Sequence, residues 1–70
     1  MTRYAVIFET NPPSICGGYE SLQQVRDSPC FPQPTELHDR FGWHLMDEQV
    51  TKLICGTTTT ITGRIATRSD

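Results

Sequence analysis

The stretch Thr35-Glu36-Leu37-His38-Asp39-Arg40-Phe41-Gly42-Trp43-His44-Leu45-Met46-Asp47-Glu48-Gln49 decides the fold, because it reads in two ways. Thr35 can serve as an N-cap, and Glu36 then falls in a first turn, where a carboxylate favours the helix dipole. Leu37, Phe41 and Leu45 follow at i, i+4 and i+8, one apolar stripe of a helix. Gly42 interrupts that stripe. Either one helix runs to about Gln49, or it stops at Phe41 and Trp43-His44-Leu45-Met46 forms a short strand. The single helix keeps the whole stripe on one face and is the reading adopted.

Downstream, Val50 to Cys55 and Thr59 to Thr67 are β-like runs around Gly56-Thr57, a two-residue hairpin signal. That hairpin sets Cys55 opposite Thr58, Leu53 opposite Thr60 and Lys52 opposite Ile61. Gly63 inside the second run suggests a bulge or an edge. Upstream, Arg3 to Thr10 alternates Tyr4, Val6 and Phe8 with Ala5, Ile7 and Glu9, which predicts a strand. Asn11-Pro12-Pro13-Ser14 stops it. Tyr19 to Asp27 places Tyr19, Leu22 and Val25 at helical spacing, and Ser28-Pro29 ends that short helix. Cys30 to Pro34 reads as a loop. The expected fold is a single α+β domain over residues 1–70, in the order β-α-α-β-β. Its three-stranded antiparallel sheet would carry the helices on one face.

Seventy residues bury only roughly 60% of their unfolded surface, which disfavours a large, deep active-site cavity. The chain is 36% apolar, a thin core that predicts help from self-association as a homodimer. A net charge of −2 argues against nucleic-acid binding through a general positive field. No run approaches the ~20 apolar residues of a membrane helix. The N-terminal apolar run ends at Glu9, short for a signal peptide. Cys16, Cys30 and Cys55 are odd in number, which favours a reducing, cytoplasmic setting with free thiols; one disulfide plus a spare thiol also fits the count.

The chemistry-bearing residue types assemble weakly. Cys16, Cys30, His38, His44 and Cys55 include no closely spaced ligand pair, and on one helix the two histidines would lie about 240° apart, so no metal or other cofactor is expected. A Cys–His–carboxylate arrangement could be drawn on paper, but no nucleophile elbow, oxyanion loop or phosphate-cradling motif accompanies it, and an enzyme is not expected. Nucleic-acid binding would draw on Arg3, Lys52, Arg64 and Arg68 with Tyr4, Phe8 and Trp43, too few cations for a phosphate track. Thr57 to Thr60 with Thr62 reads as a Thr-rich strand, and Pro29-Cys30-Phe31-Pro32 as a rigid loop.

Charge is divided more sharply than the total suggests. Residues 36–48 hold Glu36, Asp39, Asp47 and Glu48 against Arg40 alone, while residues 49–68 hold Lys52, Arg64 and Arg68 with no acid. Phe41, Trp43 and Met46 lie among the acids, and an aromatic anchor ringed by charge has the composition of an interface. Glu36, Asp39, Phe41, Trp43, Asp47 and Glu48 are therefore the expected partner-binding residues. Carboxylates on a helix could imitate a row of phosphates in a basic groove.

Tyr4-Ala5-Val6-Ile7-Phe8-Glu9, Gly17-Gly18-Tyr19 and Pro29-Cys30-Phe31 resemble the opening of HicB-type antitoxins, over about the first 31 residues. That family continues after the tyrosine with an alternating strand and has a glycine in the corner. Glu20 to Asp27 here is polar and helical and the corner glycine is missing, so the chain is not assigned to it. In size, thin core and mild acidity the chain is similar to phage- or mobile-element-encoded inhibitors, including anti-CRISPR proteins. The expected function is stoichiometric binding to a larger protein or nucleoprotein complex with a basic surface, with no direct nucleic-acid or membrane contact. An antitoxin-like partner of a toxin ribonuclease, or a metal- or thiol-dependent module, is the alternative.

Overall fold

The computed structural model describes residues 1–69 and resolves the ambiguous stretch into a short strand at Thr35–Glu36, an irregular segment over 37–43 and a strand from His44 onward. Six strands and one short helix follow in order: β1 (Thr2–Phe8), β2 (Ser14–Tyr19), α1 (Leu22–Asp27), β3 (Cys30–Phe31), β4 (Thr35–Glu36), β5 (His44–Ile54) and β6 (Thr60–Ser69). They form one sheet in the order β3-β5-β6-β1-β2-β4. The β3–β5 pair is parallel and the rest are antiparallel. This corrects the expected β-α-α-β-β domain with helices on one face of a three-stranded sheet. The helix over 35–49 does not exist. Gly42 sits at φ +87°, a left-handed conformation outside the helical range that favours glycine. Beyond it, burial alternates with period two from Leu45 to Ile54, the signature of a strand.

The β5–β6 hairpin adopts the expected register, with Leu53 opposite Thr60 and Lys52 opposite Ile61. Its connection is wider than a two-residue turn: Ile54 N–H donates to Thr59 O at 2.9 Å, and Thr57 N–H to Ile54 O at 3.0 Å. Gly56, at φ +82°, makes the bend between them. Lower in the hairpin, β5 advances from Leu45 to Gln49 while β6 retreats only from Ala66 to Arg64. The bulge thus contains two extra residues, and an even insertion leaves every side chain on its original face.

The sheet cannot be flat. In its strand order a flat sheet would hold β3 and β4 about 24 Å apart, at ~4.8 Å per strand. Only Pro32-Gln33-Pro34 joins them, and from Phe31 to Thr35 the extended chain reaches about 14 Å. The sheet therefore rolls until its two edge strands approach one another. The Phe8 and Phe31 rings, on β1 and β3, meet edge to face at 5.1 Å, although β5 and β6 separate those strands. The concave face holds the core: Val6, Phe8, Cys16, Tyr19, Phe31 and Ile65, with Val25 of α1 among them. Cys30 and Cys55 are joined by a disulfide between β3 and the end of β5, so the expectation of three free thiols fails and only Cys16 remains one.

A six-residue helix is not stable alone in water. Ser21 Oγ accepts from Gln24 N–H at 3.1 Å and Gln24 Oε1 from Glu20 N–H at 2.6 Å. At the other end Lys52 Nζ donates to the carbonyls of Val25, Arg26 and Ser28, occupying acceptors a helix C-terminus leaves open. Among the described residues no helix is long and apolar enough to cross a membrane.

Gly63 lies where β6 passes under Val6 and Phe8. A Cβ there would sit 2.8 Å from two atoms of the Phe8 ring and closer still to Val6 Cγ1. Gly63→Ala is expected to destabilise the fold by about 1–3 kcal/mol through overpacking, which thermal unfolding would register as a drop of about 4–8 °C per kcal/mol. An unchanged melting temperature would contradict this packing.

Candidate functional site

Residues 37–43 carry the chain from β4 across the convex face of the sheet to the start of β5. Leu37 N–H donates to Pro13 O at 2.9 Å, and Arg40 bonds Glu9 at 3.3 Å. Near the far end the Arg68 guanidinium lies 5.8 Å from the centre of the Trp43 ring. Glu9 follows β1 and Arg68 belongs to β6, and both project from the face opposite Val6 and Ile65. Ala5, Ile7 and Ala66, on that same face, are fully buried or nearly so. Ala5 and Ala66 are cross-strand partners, and their small side chains leave room for a covering segment.

This strap ends in a tight turn. Trp43 N–H donates to Arg40 O at 3.1 Å, and Gly42 at φ +87° takes the third position, as a type II turn requires. Asp39 Oδ1 accepts from Phe41 N–H at 2.9 Å, a local side-chain bond that pins the approach to the turn. Phe41 is left at the tip, 87% exposed. A large aromatic held in water by an ordered backbone is unusual in a chain with so little apolar material.

The six residues expected to form one acidic, aromatic face are distributed as follows. Asp39, Phe41 and Trp43 come together on the strap. Glu36 lies on edge strand β4, opposite Ser14. Asp47 is exposed within the β5 bulge. Glu48 turns to the helix side, where Arg26 grips both its oxygens at 2.8 and 3.0 Å and holds its carboxyl below the usual range. Trp43 is half-buried beside Arg68 and is no free anchor. Sequence reading missed Arg68 as Trp43's companion, since their contact depends on β6 running beside the strap.

The other constellations are dispersed. Cys30 and Cys55 are bonded to each other, and among the described residues no group of three or more His, Cys, Asp or Glu could hold a metal. Of the candidate nucleic-acid contacts, Lys52 is committed to helix carbonyls, Tyr4 packs against the core and Phe8 lies within it. Cys16 and Tyr19 form the one polar pair in the core cluster, Sγ to Oη 3.6 Å. Burial pushes the Cys16 thiol up, against the Tyr19 hydrogen bond and the pull of Lys52.

The chain matches no protein-family model, and no curated protein or solved structure shows significant similarity to it.

Burial, and then the bond with Cys16, push the Tyr19 phenol up to about 12. The folded state prefers the neutral phenol, so this contribution to stability is complete below the ordinary tyrosine range near 10 and disappears as pH rises towards 12. Wild-type protein is therefore expected to lose thermal stability steeply over that interval. Tyr19→Phe should flatten the decline, whereas an equally steep profile in the variant would place the alkaline sensitivity elsewhere.

Proposed function

We propose that the protein is a non-enzymatic inhibitor that binds a larger nucleic-acid enzyme or nucleoprotein complex in stoichiometric contact, with Phe41 as its anchor. The observation carrying this reading is the exposure of Phe41 at the tip of a turn secured by Asp39, Gly42 and the Arg40–Glu9 pair. An anchor presented on ordered backbone loses little conformational freedom on binding, and aromatic side chains dominate binding energies when they enter a pocket. Asp39 lies two residues from the anchor, and its carboxylate favours a basic rim around that pocket. Asp47 and Glu36 supply further exposed acids on neighbouring elements. Glu48 is assigned to the fold through Arg26, and Trp43 supports the strap.

We place the protein in the cytoplasm on the strength of this partner class alone, since the Cys30–Cys55 disulfide removes the free-thiol argument for a reducing compartment. An antitoxin-like role would use the same anchor against a toxin ribonuclease, and the identity of the captured partner separates the two.

The test begins with capture of the partner on immobilised protein, followed by titration of variants against it. Phe41→Ala is expected to weaken binding at least about tenfold, the effect of losing roughly 1.4 kcal/mol, with thermal unfolding unchanged. Binding by Phe41→Ala as tight as wild type would overturn the assignment.

A further inference from the structure

We propose that the Cys30–Cys55 disulfide is a reducible clasp holding edge strand β3 to the end of β5, and that its reduction releases β3 while the antiparallel strands stay folded. The argument rests on where the bond lies. β3 contributes only Cys30 and Phe31 to the sheet, and beyond that pairing the Cys55 N–H bond to Phe31 O, at 2.7 Å, ties it to β5. The disulfide is the covalent tie between β3 and β5, joining residues 25 apart in sequence. Strands β5, β6, β1 and β2 pair along their own lengths, and none of those ladders passes through it.

The clasp is also reachable. Cys55 is exposed and Cys30 partly so, which lets a thiolate approach the bond from solvent. The reductant is a small or protein dithiol. One of its thiolates attacks Cys55 Sγ, the S–S bond breaks and Cys30 leaves as thiolate. The second thiol then closes the reductant's own disulfide and releases Cys55. Two electrons pass to the cysteines, and the two protons from the reductant's thiols neutralise them.

Opening has a built-in reporter. Phe31, fully buried, packs in the same core cluster as Cys16, the remaining free thiol, which is 4% exposed. Once Phe31 and the segment behind it swing out, Cys16 meets solvent. The device is independent of the partner-binding reading, and its test needs no partner.

The experiment compares oxidised wild type, wild type held with a dithiol, and Cys30→Ser/Cys55→Ser, in which Cys16 is the single thiol. Cys16 alkylation is expected to accelerate about a hundredfold in the two open forms, in line with removal of a loop-closing crosslink. Peptide-resolved hydrogen exchange should rise at residues 30–36 and 53–56, while β1 and β6 retain protection. Reoxidation of the wild type should restore both readings. The proposal fails if Cys16 remains unreactive after reduction. It also fails if all strands lose protection together, since the bond would then hold up the whole fold.

Discussion

Three residues set the shape of this protein. Pro32-Gln33-Pro34 must connect opposite edges of a six-stranded sheet, and a connection that short leaves no solution except to roll the sheet. Rolling brings Phe31 against Phe8 and creates the concave face on which a lean chain can gather its apolar side chains. It also explains the proline content of the segment, since each ring fixes φ and stiffens an already extended link. The disulfide stands at the base of this link, so β3 is held on one side by a covalent bond to the end of β5 and on the other by a short chain to β4.

The convex face presents the complementary problem. Its central side chains are small, with Ala5 opposite Ala66, and a flat patch of that kind would be left wet without a cover. The strap runs on this side of the sheet, fastened by Pro13 and Glu9 at one end and by Arg68 at the other. The same fastening puts Phe41 into solvent. Fold and candidate site thus share one cause: the chain must return from β4 to β5, and the turn completing that return displays the aromatic.

Parts of this were legible in the sequence. Alternation in Tyr4 to Phe8 marked β1, the spacing of Leu22 and Val25 marked α1 although Tyr19, counted with them, ends β2, and the register around Gly56 and Thr57 holds in the β5–β6 hairpin. The strand over 44–54 was hidden by its inward positions, Met46, Glu48, Val50, Lys52 and Ile54, two of which are charged. Those charges are tolerable because Arg26 meets Glu48 and the helix carbonyls meet Lys52, partners 22 and 27 residues away that no local window reveals. The competing stripe of Leu37, Phe41 and Leu45 was an accident of spacing: the three fall on the strap, the turn and the strand. Phe41 and Asp39 were candidates on composition and lie together on the strap, whereas the separation of Glu36, Asp47 and Glu48 from them required the sheet. The division between an acidic and a basic segment is also partly internal, with Glu48 and Arg40 taken up in ion pairs.

Proton NMR contact measurements test the rolled sheet most directly. The account expects cross-peaks between the Phe8 and Phe31 rings, together with strand contacts between Ile15 and Thr35 and between Cys30 and Leu53. A run of sequential amide–amide contacts through residues 36–46, with no contact between the two phenylalanine rings, would restore the helix and contradict the account.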